Sequence, residues 1–139
     1  MTQRSVSFLF MGEADAESRI VNSGTNLQAD ILKVGHHGSA TSSSSAFLSK
    51  DNRKIRVIEV GAGNCYGHPR SATLGRLAQV GSAVYRTDLD GDVTVTTDGT
   101  TYDVKTGQTG IQMVSNSAKT VSTQQTVSSQ SSTEAVCDC

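Results

Sequence analysis

An α/β layer is the fold class this sequence predicts, and three observations carry the prediction. Short apolar runs rich in β-branched or aromatic residues alternate with segments of helical period, each run ends in glycine or a polar cluster, and the alternation stops near residue 106.

The elements follow in chain order. "SVSFLFM", residues 5 to 11, reads as a buried strand. "GEADAESRIVNSG" places Asp15 and Glu17 in a first helical turn, where the helix dipole favours negative charge, and Gly24 at a stop, giving two to three turns. "ADILKV" is a second strand, and "SSAFLSK" has room for one or two helical turns. "KIRVIEV", residues 54 to 60, is a third strand. "SATLGRLAQVG" sets Leu74, Leu77, Ala78 and Val80 on a helical period before Gly81. "AVYRT", "DGDVTVTT" and "TYDVKT" then read as a meander joined by Asp-Gly turns. Asp88, Asp90 and Asp92 invite a calcium reading, but their spacing lacks the glycine position and distant glutamate of a calcium loop, so a hairpin turn is expected there.

Residues 1–106 are therefore expected to form one packed domain, and residues 107–139 a low-complexity flexible tail. The tail is rich in Ser, Thr and Gln, has no aromatic residue and keeps no apolar period. Cys137 and Cys139 close it as "CDC", which fits either a simple chain end or the start of a metal or disulfide module. Net charge is −1 with scattered basic residues, so no positive stripe supplies non-specific affinity for nucleic acid. No run reaches the ~18 apolar residues of a membrane span, and no signal-peptide pattern opens the chain.

In an α/β layer, chemistry gathers at the carboxyl ends of the strands. Gly12-Glu13, Gly35-His36-His37 and the loop from Gly61 to His68 all fall there. Imidazole suits zinc- or manganese-like ions, and a hydrogen bond that caps the strand is the plainer role for one of the two adjacent histidines. The hydroxyls of Ser39, Thr41 and Ser42 could accept a phosphate. Glu13 or Asp15 could complete a metal site, with helix capping as the plainer role for Asp15. His68 sits in the Gly- and Pro-flanked "NCYGHPR", a setting equally compatible with function and with simple exposure.

In order and spacing, "FLFMGEADAES", "KVGHHGS", "YGHP" and "VYRTDLDG" resemble the C-terminal half of the metallo-β-lactamase-fold hydrolase domain of ComEC-type DNA-internalisation competence proteins and their secreted relatives. The likeness covers about residues 5 to 105. It implies half of an αββα sandwich and a metal-dependent phosphodiesterase or nuclease acting on DNA, outside the cell or at its surface. It also implies a divalent metal, zinc or manganese, held by His36 and by Glu13 or Asp15. His37 and His68 would be catalytic, and Ser39, Thr41 and Ser42 would bind phosphate. Two departures stand out. The family's histidine cluster in the first half is missing, since residues 1 to 35 hold no histidine, so the missing N-terminal half becomes an expected partner. Glu13 also stands where the family has aspartate, moving the carboxylate by roughly one C–C bond length. The isolated chain is thus expected to be inert or very weak. The rival expectation is a non-catalytic α/β interaction module or a decayed hydrolase domain.

Overall fold

The computed structural model describes residues 5–13, 15–51 and 53–107. Beyond Gly107, the expected tail and its two cysteines lie outside the described residues.

Four strands form a parallel sheet: β1 (Phe8–Phe10), β2 (Ile31–Lys33), β3 (Ile55–Ile58) and β4 (Ala83–Arg86), in the spatial order 1-2-3-4. The register runs Phe8 to Ile31 to Ile55 to Ala83. The connections carry α1 (Asp15–Asn22), α2 (Ser45–Ser49) and α3 (Ser71–Gln79). When successive right-handed crossovers step in one direction across a sheet, their helices fall on one face. Met11, Leu32, Val34, Phe47, Leu48, Ile58 and Leu77 accordingly fill one core, and Ala16, Ile20, Val21 and Leu74 pack against it.

The chain after β4 departs from the expected meander. β4 pairs in parallel with β3, and Thr87–Asp90 makes one helical turn, α4, where a hairpin was expected. The local charges explain the correction. Asp88 pairs with the Arg86 guanidinium, Asp90 accepts the Arg86 backbone N–H at 2.7 Å, and Gly91 leaves the turn at a φ of 69°. β5 (Val93–Thr97) and β6 (Tyr102–Thr106) then form a separate antiparallel hairpin closed by the turn at Asp98 and Gly99.

The hairpin covers part of the other sheet face. There Ile31, Ile55, Tyr85, Tyr102 and Val104 make a second core. The cover is incomplete: Phe8 and Phe10 stack on each other at 6.1 Å, and Phe10 remains 72% exposed. They line a groove of about 450 Å³ together with Lys33 and Glu59, which form an ion pair at 3.4 Å.

Candidate functional site

Because the four strands are parallel, their carboxyl ends share one edge of the sheet, and the loops leaving β1, β2 and β3 meet there. The first contact is backbone to backbone: the His36 N–H donates to the Gly12 carbonyl at 2.8 Å. Gly35 makes this approach feasible, since a β-carbon there would lie 2.9 Å from that oxygen.

His36 and His37 then occupy the left-handed region, with φ of 46° and 50°. Two consecutive non-glycine residues in that region are costly, and the turn sets their rings differently. His36 Nε2 lies 3.7 Å from Glu13 Oε2, while its Nδ1 is buried with no hydrogen-bond partner among the described residues. His37 Nδ1 contacts the Glu59 carbonyl at 2.6 Å. A carbonyl can only accept, so Nδ1 carries the proton, and Nε2 of the neutral ring keeps its lone pair.

His68 arrives on the loop after β3. Its ring meets that of His36 edge to face at 5.7 Å and stacks on Tyr66 at 6.0 Å. Its Nδ1 is also buried and unpartnered among the described residues. Desolvation first, then the Arg70 cation and the neighbouring His36 and His37, hold its pKa below the ordinary imidazole value. The ring is therefore neutral near pH 7.

Asn64 fixes this loop, and its role was not foreseen from the sequence. Its side-chain amide donates to the carbonyls of His68 at 2.7 Å and Gly61 at 3.0 Å, and its Oδ1 accepts the His68 N–H at 2.9 Å. Gly38 lets the two histidine loops meet. At its φ of 78° an added β-carbon would stand 2.6 Å from Pro69 Cβ, and its carbonyl accepts the Arg70 N–H at 2.9 Å.

The hydroxyl-rich loop after His37 is held internally. Ser42 is fully buried and its hydroxyl donates to the Ser39 carbonyl at 2.9 Å, while the Ser39 and Thr41 hydroxyls share a bond at 3.2 Å. Glu17, 3% exposed, accepts the N–H groups of Ser43 at 2.6 Å and Ser44 at 3.0 Å. Arg76 donates to the carbonyls of Ala40, Ser42 and Ser43, each at 2.8 Å. A helical-period reading could have found Glu17, which falls on the same helix face as Ile20 and Val21.

The structure thus gathers Glu13, His36, His37 and His68 at one edge and turns Ser42 inward. Asp15 opens α1, but its side chain lies outside the described residues. Among the described residues, no three His, Cys, Asp or Glu side chains converge closely enough to hold a metal ion. His36 and Glu13 fit two positions of such a site, with an imidazole whose Nδ1 is unspent, but do not make a complete set.

No family model and no solved structure matches the chain. It is 35% identical over 95 residues to ComE operon protein 3 of Bacillus subtilis, covering 67% of this chain and 12% of that protein. It is 39% identical over 88 residues to the competence protein ComA of Neisseria gonorrhoeae, 61% of this chain and 13% of that one. Recombination protein 2 of Haemophilus influenzae is 36% identical over 89 residues, 64% of this chain and 11% of its own length. These likenesses relate the chain to the ComEC-type competence proteins, of which it spans roughly an eighth.

Proposed function

We propose that this chain is the C-terminal half of a metallo-β-lactamase-fold hydrolase, a metal-dependent phosphodiesterase or nuclease acting on DNA taken up in competence, at the cell surface or outside it. The observation that carries the reading is the place of His36 at the carboxyl edge of a parallel sheet, next to Glu13 on one side and His68 on the other, with one nitrogen of each imidazole lacking a hydrogen-bond partner among the described residues. A bound divalent ion, zinc or manganese, would supply Lewis-acid activation of water and neutralise phosphate charge.

The chain's own residues have distinct parts in this reading. His36 and Glu13, or Asp15, hold the ion. His37 presents Nε2 as a proton acceptor, its tautomer set by the Glu59 carbonyl. His68, neutral near pH 7, faces the same space and can take or return a proton. Ser39 and Thr41 would turn their shared hydroxyls to a phosphate, while Ser42 keeps the loop folded. The partly uncovered Phe8–Phe10 face and the β1 edge suit the missing N-terminal half as partner, completing an αββα sandwich.

Alone, the chain should bind zinc or manganese weakly and cleave no phosphodiester. Joined to an N-terminal half that carries a histidine cluster, it should gain metal-dependent cleavage of DNA, abolished by His36→Ala and raised by Glu13→Asp. Robust, chelator-sensitive turnover by the chain alone would overturn the half-site reading. Failure of every joined protein would favour the second reading, a non-catalytic interaction module, which the incomplete ligand set among the described residues supports.

A further inference from the structure

We propose that Tyr66 and Arg70 form a seat for one unpaired nucleotide beside the histidine cluster, the Tyr66 ring stacking on the base and the Arg70 guanidinium taking a phosphate. The inference rests on the reading above that the substrate is a nucleic-acid phosphodiester, and it adds that the strand must be single where it enters.

Tyr66 is 74% exposed, and it stacks near-parallel on His68 with 18° between the ring planes. One face of the phenol ring is thus given to His68 and the other is open to solvent. The loop that carries the ring is also held in place. Asn64 closes the loop on both sides of it, through its own N–H to the Gly61 carbonyl, its carbonyl to the Gly67 N–H at 3.3 Å, and its side-chain bonds to His68. An aromatic face already fixed by its scaffold loses little freedom when a base lands on it.

Arg70 supplies the charge. Its side chain is exposed, it lies against Gly67, where a β-carbon would come within 3.4 Å of the guanidinium, and it makes no ion pair among the described residues. It is near enough to His68 to disfavour protonation of that ring, which sets the cation at the rim of the histidine cluster. An open aromatic face beside an unpaired cation is the combination that holds single strands: the base stacks, the backbone is neutralised, and no sequence is read. A duplex base cannot enter, because both its faces are already stacked on its neighbours. With a net charge of −1, backbone attraction alone is weak, so stacking must carry the preference for single strands.

The test is fluorescence anisotropy on the full chain in chelator, with three probes of equal length: oligothymidylate, an abasic oligomer and a duplex. Oligothymidylate should bind about tenfold more tightly than the abasic strand, and the duplex should bind most weakly. Tyr66→Ala should remove about that tenfold for oligothymidylate and leave the abasic strand within about twofold, whereas Tyr66→Phe should bind like the parent. Arg70→Ala should weaken both single strands alike and lower the logarithmic salt slope by about one. Equal affinity for thymidylate and abasic strands, an unaffected Tyr66→Ala, or preference for the duplex would overturn the seat. Failure of the hydrolase reading is distinguishable, because it would leave this base-dependent binding intact while joined proteins showed no turnover.

Discussion

At the amino edge of the sheet the buried Asp51 is ion-paired to the buried Arg53 and Arg56, whose Nε and Nη1 atoms have no hydrogen-bond partner among the described residues, whereas at the carboxyl edge the nitrogens left in that state are the imidazole Nδ1 atoms of His36 and His68. Asp51 meets Arg53 and Arg56 at 2.9 Å each, Arg53 also donates to the Leu27 carbonyl, and its guanidinium lies over the Phe47 ring. Burial lowers the Arg53 pKa, and Asp51 opposes that shift. The amino edge thus commits its charges to the fold. Guanidinium nitrogens can only donate, whereas the carboxyl edge combines strained backbone with imidazoles, whose neutral rings can accept a proton or meet a ligand.

If that contrast holds, the largest effect should come from the amino edge. Asp51→Ala would leave two guanidinium groups in the interior without a carboxylate, which costs about 3–5 kcal/mol. Urea unfolding should show a large fall in midpoint at unchanged slope. A loss below about 1 kcal/mol would mean that the arginines find water, and the contrast would fail.

Gly38→Ala comes next, because it attacks the joint between the two histidine loops. A left-handed alanine costs about 1–2 kcal/mol, and the 2.6 Å approach to Pro69 Cβ adds a clash in a buried place. A total of about 2–4 kcal/mol is expected by the same measurement, together with chemical-shift changes at His36 and His68.

His36→Gly should move stability the other way. It replaces a left-handed histidine by the residue that takes a φ of 46° freely, and it removes a buried nitrogen that has no partner among the described residues. A gain of about 1 kcal/mol in urea is expected. A loss would show that the ring is there for packing, and the carboxyl edge would lose its distinction from the amino edge.

The sequence made the frame of this contrast legible and hid the amino edge. Periods of two and of 3.6 mark the strands, α3 and the loops at the carboxyl ends, so Glu13, His36 and His68 could be assigned to one edge before any coordinates. Arg56 could have been suspected: in "KIRVIEV" it alternates with Ile58 and Val60, both of which face the helix-side core. Asn64 left no such signal, since a loop asparagine fits many turns. The left-handed histidines were equally hidden, because their backbone follows from the meeting of Gly12 with His36 across two strands, a contact that neighbouring residues do not encode. The turn after β4 was misread because Arg86, two residues away, redirects Asp88 and Asp90 from a hairpin into a helical turn.

The smallest effect expected is in the pH dependence of stability, and it separates the two edges by their titrating groups. His68 serves the carboxyl edge. Asp98, in the hairpin turn beside Val6 at the amino edge, has its pKa lowered by the Thr101 and Thr100 backbone N–H groups and the Thr101 hydroxyl. Both groups have folded values below their unfolded ones, so between the two values the unfolded chain binds more protons. Stability contributed by each is therefore present above the unfolded value and lost as pH falls through the window beneath it. For His68 the loss should begin below the ordinary imidazole value of about 6.5, and for Asp98 below the ordinary carboxyl value of about 3.9. Urea midpoints measured in chelator from pH 8 to pH 3 should fall in two separate steps. His68→Gln should erase the upper step and leave the lower one, and Asp98→Asn should do the reverse. Arg70→Ala should shift the upper step toward higher pH by removing a cation beside the ring. A single acid step that ignores His68→Gln would show that this imidazole stays solvated, and the carboxyl edge would then lack the desolvated base that distinguishes it.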